Sequence, residues 1–214
     1  MEDIADRIEH TVLGPTTSWS DVTTVLDEAL QYGMRACIPP CYLTRAGEYA
    51  PGIELTTVVG FPHGQHREET KCQEASHAWQ AGAAEVDVVA NIGHIQSDEL
   101  ERVNHELEEI VASVPIPVKV IIESPLLSNE ELHAVSAIAE TADVDYLKTA
   151  TGFSEGGATV SDVAVMSEYC PVKASGGIRS WSFAKELFDA GATRIGTSSG
   201  DTILEEYRTE TSES

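Results

Sequence analysis

Short apolar runs alternate with helix-period segments eight times along this chain, and that alternation constrains the fold more than any other feature. The spacing predicts strands at 8–13, 35–38, 55–60, 85–90, 118–122, 146–149, 172–174 and 194–196. Helices are predicted between and after them, at 20–31, 43–49, 68–81, 98–113, 129–140, 160–169, 180–190 and 200–207. Ser128 followed by Glu131 has the spacing of a helix N-terminal cap, and Gly82 and Gly191 stand where helices should stop. Val118-Lys-Val-Ile-Ile122 is almost wholly apolar, as parallel strands covered on both faces are. Eight strand–helix units in 214 residues fit a compact (β/α)₈ TIM barrel, an α/β fold, with a doubly wound open sheet as the competitor. Residues 1–208 read as one domain, and the polar stretch 209–214 as a short disordered tail.

Charge narrows the function classes. Thirteen Lys and Arg stand against 36 Asp and Glu, a formal net charge of −23 that excludes a phosphate-backbone partner. The acids are spread over helix-like segments, and such a surface suits a high-salt cytoplasm, where screening relieves self-repulsion. No run approaches the roughly 18 apolar residues of a membrane helix. The acidic start, Met1-Glu-Asp-Ile-Ala-Asp-Arg7, has no apolar region of a secretory signal, so a cytoplasmic location is expected. Cys37, Cys41, Cys72 and Cys170 lack zinc-type spacing and read as reduced thiols. His63 and His66 could form half of a metal site, but no partner ligands are evident, and loop histidines are the plainer reading.

Only five residues are Lys, yet two fall in successive apolar strands: Lys148 and Lys173. A buried amine beside a second ammonium loses its proton more easily, which turns it into a nucleophile for carbonyls. The pair therefore points to Schiff-base chemistry. Asp87 interrupts the apolar run Ala84–Ala90 and is either ion-paired or catalytic. Lys119 lies early in its strand, deeper than Lys148, where it is either a third buried amine or, the favoured reading, a counter-ion for Asp87 and Glu123. Lys71 and Lys185 sit in polar helix patterns and read as solvated. After the last two strands, Ser175-Gly-Gly-Ile178 and Gly196-Thr-Ser-Ser-Gly200 offer small residues and helix N-termini suited to a phosphate.

These segments resemble the deoxyribose-phosphate aldolases, class I aldolases on a TIM barrel. The likeness runs through Thr56-Thr-Val-Val-Gly-Phe-Pro-His-Gly64, Gly82-Ala-Ala-Glu-Val-Asp-Val-Val-Ala-Asn91 and Val118-Lys-Val-Ile-Ile-Glu123. It continues through Leu147-Lys-Thr-Ala-Thr-Gly152, Val172-Lys-Ala-Ser-Gly-Gly-Ile178 and Gly191-Ala-Thr-Arg-Ile-Gly-Thr-Ser-Ser199. The resemblance implies reversible cleavage of 2-deoxy-D-ribose 5-phosphate to acetaldehyde and D-glyceraldehyde 3-phosphate, in deoxyribose and deoxyribonucleotide breakdown. It makes Lys148 the Schiff-base lysine, Lys173 the neighbour that lowers its pKa, and Asp87 the proton donor and acceptor. It places Gly176, Gly177, Ser198 and Ser199 at the phosphate, Thr151 and Gly152 along its approach, and Cys37 where the family often has a substrate-side thiol, with a buried small hydrophobe as the alternative reading; Lys119 is counted with the substrate-binding candidates. No metal or other cofactor is implied, and a homo-oligomer, dimer or larger, is expected.

Two positions and a short C-terminal tail depart from the family pattern. Ala150 replaces a hydroxyl residue, and Glu9 replaces an Asp, which puts a site role for Glu9 in doubt. Tyr207 is the one candidate for a terminal tyrosine, with helix packing as its alternative role. Two rival functions remain open: a transaldolase-like Schiff-base enzyme with another donor, and a sugar-phosphate binding barrel without catalysis. The second has no use for two adjacent buried amines.

Overall fold

In a computed structural model describing residues 4–212, the eight predicted runs all form strands. They are β1 (Ile8–Thr11), β2 (Arg35–Cys37), β3 (Leu55–Val59), β4 (Glu85–Val89), β5 (Val118–Ile121), β6 (Tyr146–Lys148), β7 (Val172–Ser175) and β8 (Ala192–Thr197). Each pairs in parallel with the next, and β8 pairs with β1, so the sheet closes as a (β/α)₈ barrel rather than lying open. Around it run α1 (Trp19–Tyr32), α2 (Leu43–Tyr49), α3 (Glu68–Gln80), α4 (Ile92–Gln96), α5 (Leu100–Ser113), α6 (Asn129–Thr141), α7 (Val160–Met166), α8 (Trp181–Asp189) and α9 (Gly200–Ser212).

Local chemistry sets the helix ends. Ser18 and Ser128 each close a capping box, with Asp21 and Glu131, and Ser180 and Thr159 cap α8 and α7 through their hydroxyls. Each such cap is worth about 1 kcal/mol. Gly82 and Gly191 follow their helices at φ 99° and 111°, backbone that a side chain would strain. Two elements differ from the sequence reading. The short α4 was not foreseen, its first turn held by Asn91, whose Oδ1 accepts from the His94 N–H. Helix α9 runs on to Ser212, so 209–212 is helical rather than disordered; residues 213–214 lie outside the described residues. Trp181 packs edge-on against Tyr207 at 4.9 Å, which gives that tyrosine a helix-packing role.

The apolar core lies between strands and helices, where Ile8, Ala36, Val86, Val88, Val120, Leu147, Val172 and Ile195 meet the buried helix faces. Residues paired across the ladder share a face. Glu9 pairs with Arg35, Asp87 with Lys119, Ile121 with Lys148, Lys148 with Lys173 and Lys173 with Arg194. The register thus brings one charged ring inside the barrel, where branched aliphatic side chains are the usual filling. A register shift between Val172 and Lys173 against β8 skips Thr193 and turns Arg194 inward beside Lys173.

Candidate active site

Three lysines converge on Asp87. Its Oδ1 accepts from Lys119 Nζ at 3.0 Å, and its Oδ2 from both Lys148 Nζ at 2.8 Å and Lys173 Nζ at 2.6 Å. Burial alone would raise the Asp87 pKa, but the three ammonium groups hold it well below the ordinary carboxylate range. Glu9, wholly buried, bonds Lys173 through Oε2 and faces Lys119 at 3.5 Å and Arg194 at 3.4 Å through Oε1. Burial is again outweighed, here by Lys119 and Lys173, and the Glu9 pKa falls to about 2. Glu85, at the start of β4, takes Lys119 at 2.5 Å, Arg194 at 2.5 Å and Arg35 at 3.1 Å. Lys173 titrates above its ordinary range because Asp87 and Glu9 overcome its desolvation.

Neighbouring strands fix this pair of lysines. Thr149 Oγ1 donates to Ser175 O at 2.7 Å and accepts from Ser175 N at 2.8 Å, locking the end of β6 to that of β7. Ser175 Oγ then donates to Ala150 O at 2.6 Å. Glu123 accepts from Thr151 N at 3.1 Å and Thr151 Oγ1 at 2.6 Å, which holds the loop after β6.

A cavity of about 280 Å³ opens at the C-terminal ends of the strands. Of the charged cluster only Lys148 lines it; Thr151, Gly152, Gly176, Gly177 and Ser198 stand along the same wall. Glycine is required at two points: a Cβ on Gly196 would come within 2.8 Å of Lys173 Cε, and Gly176 (φ 99°) would meet Gly157 Cα at 3.0 Å. Arg179 and Phe153 also line the cavity and were not singled out from sequence. Arg179 follows the Gly176-Gly177 turn and brings a cation to that end.

Several sequence expectations are corrected. Lys119 is fully buried, its ammonium engaged by Asp87 and Glu85 as the counter-ion reading expected, and it does not line the cavity, as a substrate-binding residue would. Its carboxylate partners include Glu9 rather than Glu123, which faces Thr151 instead. Cys37 is likewise buried away from the lining, and burial pushes its thiol up to about 11. Ser199 is absent from the lining too; its N–H donates to Thr197 Oγ1 at 2.9 Å. Lys185 is exposed, as expected, with Glu210 at 2.9 Å. Lys71 is not: it is wholly buried, donating to Glu106 at 2.7 Å and Val89 O at 2.8 Å, an arrangement its polar neighbours in sequence do not signal. Glu9, Glu85 and Arg194 were the members of the charged ring that sequence reasoning passed over or doubted.

Glu9, Cys37 and Asp87 bring three ligand-type atoms within 4.8 Å of one another. Both carboxylates already face ammonium groups, so this donor set repels a metal cation rather than inviting one. Among the described residues His63 and His66 belong to no such group.

The family model for the DeoC/LacD aldolases matches residues 8–206. The deoxyribose-phosphate aldolase of Haloarcula marismortui is 60% identical over 211 residues, 99% of this chain and 91% of that protein. That of Haloquadratum walsbyi is 55% identical over 210 residues, 96% of each. Among solved structures, the tetrameric deoxyribose phosphate aldolase of Aeropyrum pernix superposes with a TM-score of 0.88 at 36% identity, covering 97% of this chain and 92% of that one.

Proposed function

The chain belongs to the DeoC/LacD family of aldolases, carbon–carbon lyases, and from that membership we propose a specific reaction: reversible cleavage of 2-deoxy-D-ribose 5-phosphate to acetaldehyde and D-glyceraldehyde 3-phosphate through an imine on Lys148. The observation that carries the assignment is position. Lys148 is the one member of the charged ring on the cavity wall, and Asp87 is its only ionic partner among the described residues.

In the synthetic direction the free amine of Lys148 adds to the acetaldehyde carbonyl, and loss of water leaves a protonated imine. The imine nitrogen draws electrons from the methyl carbon, which gives up a proton and becomes the nucleophilic carbon of an enamine. That carbon attacks the aldehyde of the phosphorylated acceptor; the new alkoxide is protonated, and water releases the product. Asp87 Oδ2 touches both lysines, so it can accept the proton that Lys148 sheds and return it, directly or through a water. Such proton transfer contributes roughly 10²–10⁴ in rate. Lys173 remains an ammonium throughout, since two carboxylates hold its proton.

Phosphate would sit at the far end of the cavity. Gly176, Gly177 and Ser198 supply close backbone approach there, α9 starts just beyond, and Arg179 adds charge. The same reading extends to a place in deoxyribose and deoxyribonucleotide breakdown, in the cytoplasm, and to a homo-oligomer, as the Aeropyrum pernix protein is described as tetrameric. No helix among the described residues is long and apolar enough to cross a membrane.

The test is turnover. Wild-type protein should release acetaldehyde from 2-deoxy-D-ribose 5-phosphate, and Lys148→Ala should fall to background while keeping its far-ultraviolet circular dichroism. Turnover with dihydroxyacetone as donor in place of acetaldehyde would instead favour a transaldolase-like reaction.

A further inference from the structure

Inside the barrel four cations, Lys119, Lys148, Lys173 and Arg194, face three carboxylates, Glu9, Glu85 and Asp87. A fifth cation, Arg35, reaches Glu85 but is matched by the exposed Glu54 outside. The ring therefore holds one more cation than carboxylate. Lys119, Lys173 and Arg194 each touch at least two carboxylates, whereas among the described residues Lys148 pairs with Asp87 alone and faces a cavity whose wall also carries Arg179.

The far end of the ring is at the opposite opening of the barrel. Glu85 begins β4, and the Arg194 side chain, 13% exposed, reaches it from β8. Arg194 also stacks over the Tyr146 ring at 4.6 Å. The remaining inward groups are accounted for strand by strand. Glu9 comes from β1, Cys37 from β2 as a neutral thiol, Asp87 from β4, Lys119 from β5 and Lys173 from β7. Strand β3 (Leu55–Val59) contains no ionisable side chain.

We propose that Glu85 and Arg194 are positioning residues of the reaction: from the face opposite the cavity, and without touching substrate, they set by charge the pH at which Lys148 becomes a free amine. Arg194 keeps the ring one positive charge in excess while Lys148 is protonated, and Glu85 limits that excess. The inference rests on the reading of Lys148 as the reacting amine.

The experiment measures the rate of borohydride trapping with acetaldehyde against pH, with the adduct mapped to Lys148. Removing the Arg194 charge (Arg194→Met) lets the ammonium persist to higher pH, so the acid limb should move up by about one pH unit. That is the order a unit charge produces roughly 10 Å away at an effective dielectric of about 20. Glu85→Gln should move the limb down by a similar amount, and Arg194→Lys, which keeps the charge, should restore the wild-type limb. Loss of packing alone would lower stability or amplitude and leave the limb in place. Because the two shifts have opposite signs, either variant that folds decides the matter. Limbs coinciding with wild type, with the adduct still on Lys148, overturn this inference alone. A wild-type adduct missing from Lys148 overturns the proposed function as well.

Discussion

Lys148 and Lys173 meet on one atom: Oδ2 of Asp87 lies 2.8 Å from the first amine and 2.6 Å from the second. The shared oxygen holds two like charges together, and in the proposed reaction it serves Lys148 as proton acceptor. Asp87→Asn keeps the shape but removes the acceptor, so kcat should fall by roughly 10²–10⁴. Steady-state turnover within tenfold of wild type would contradict that role.

Lys173 should matter as much to the fold as to the reaction. Lys173→Met leaves Glu9 and Asp87 short of a buried partner. Breaking a buried pair by removing one member costs about 3–5 kcal/mol. Urea unfolding should show that loss; a change below about 1 kcal/mol would mean that the ring closes over the gap.

Acid should unfold this protein through Glu9. Its pKa is about 2 in the fold against an ordinary 4.5, so the fold favours the ionised form. That contribution is complete above pH 4.5 and is lost as the pH falls from there through about 2. Asp87, held well below its ordinary value, acts in the same direction. Glu9→Gln should flatten the decline in urea midpoint over this range. An equally steep decline in the variant would place the acid sensitivity elsewhere.

Much of this was legible in sequence, and the limits have physical causes. Strand and helix positions followed from periodicity, since residues facing the helices must be apolar whatever the barrel encloses. Lys148, Lys173 and Asp87 stood out because each interrupts an apolar run. Glu9, Glu85 and Arg194 lie near strand ends, where charged residues are ordinary, and only the ladder register brings them inward. Lys71 was misread because its partner, Glu106, is on another helix 35 residues away. Lys119 sits early in its strand, below the cavity, whereas Cys37 ends β2 in register with the cavity-lining Thr11 and is nonetheless fully buried.

Arg179 stands on the cavity wall with Gly177, and in the proposed reaction it faces the phosphate. Arg179→Ala should raise KM for 2-deoxy-D-ribose 5-phosphate about tenfold, the scale of one charge-assisted hydrogen bond. KM for unphosphorylated deoxyribose should hardly change. Equal effects on both substrates would separate Arg179 from phosphate.

The surface makes a prediction about salt. A net charge of −23 repels itself at low ionic strength, and the Debye length shrinks from about 10 Å at 0.1 M salt to 3 Å at 1 M. The melting temperature should therefore rise between these KCl concentrations, in keeping with the haloarchaeal relatives. A flat or falling melting temperature would contradict salt adaptation.

The central claim is that Lys148, alone among four buried lysines, forms the covalent intermediate. Borohydride reduction in the presence of acetaldehyde, followed by peptide mass mapping, tests it directly. The account predicts a single ethyl adduct on Lys148, in the peptide that carries Thr149-Ala150-Thr151. No adduct, or one on Lys173 or Lys119, would contradict it.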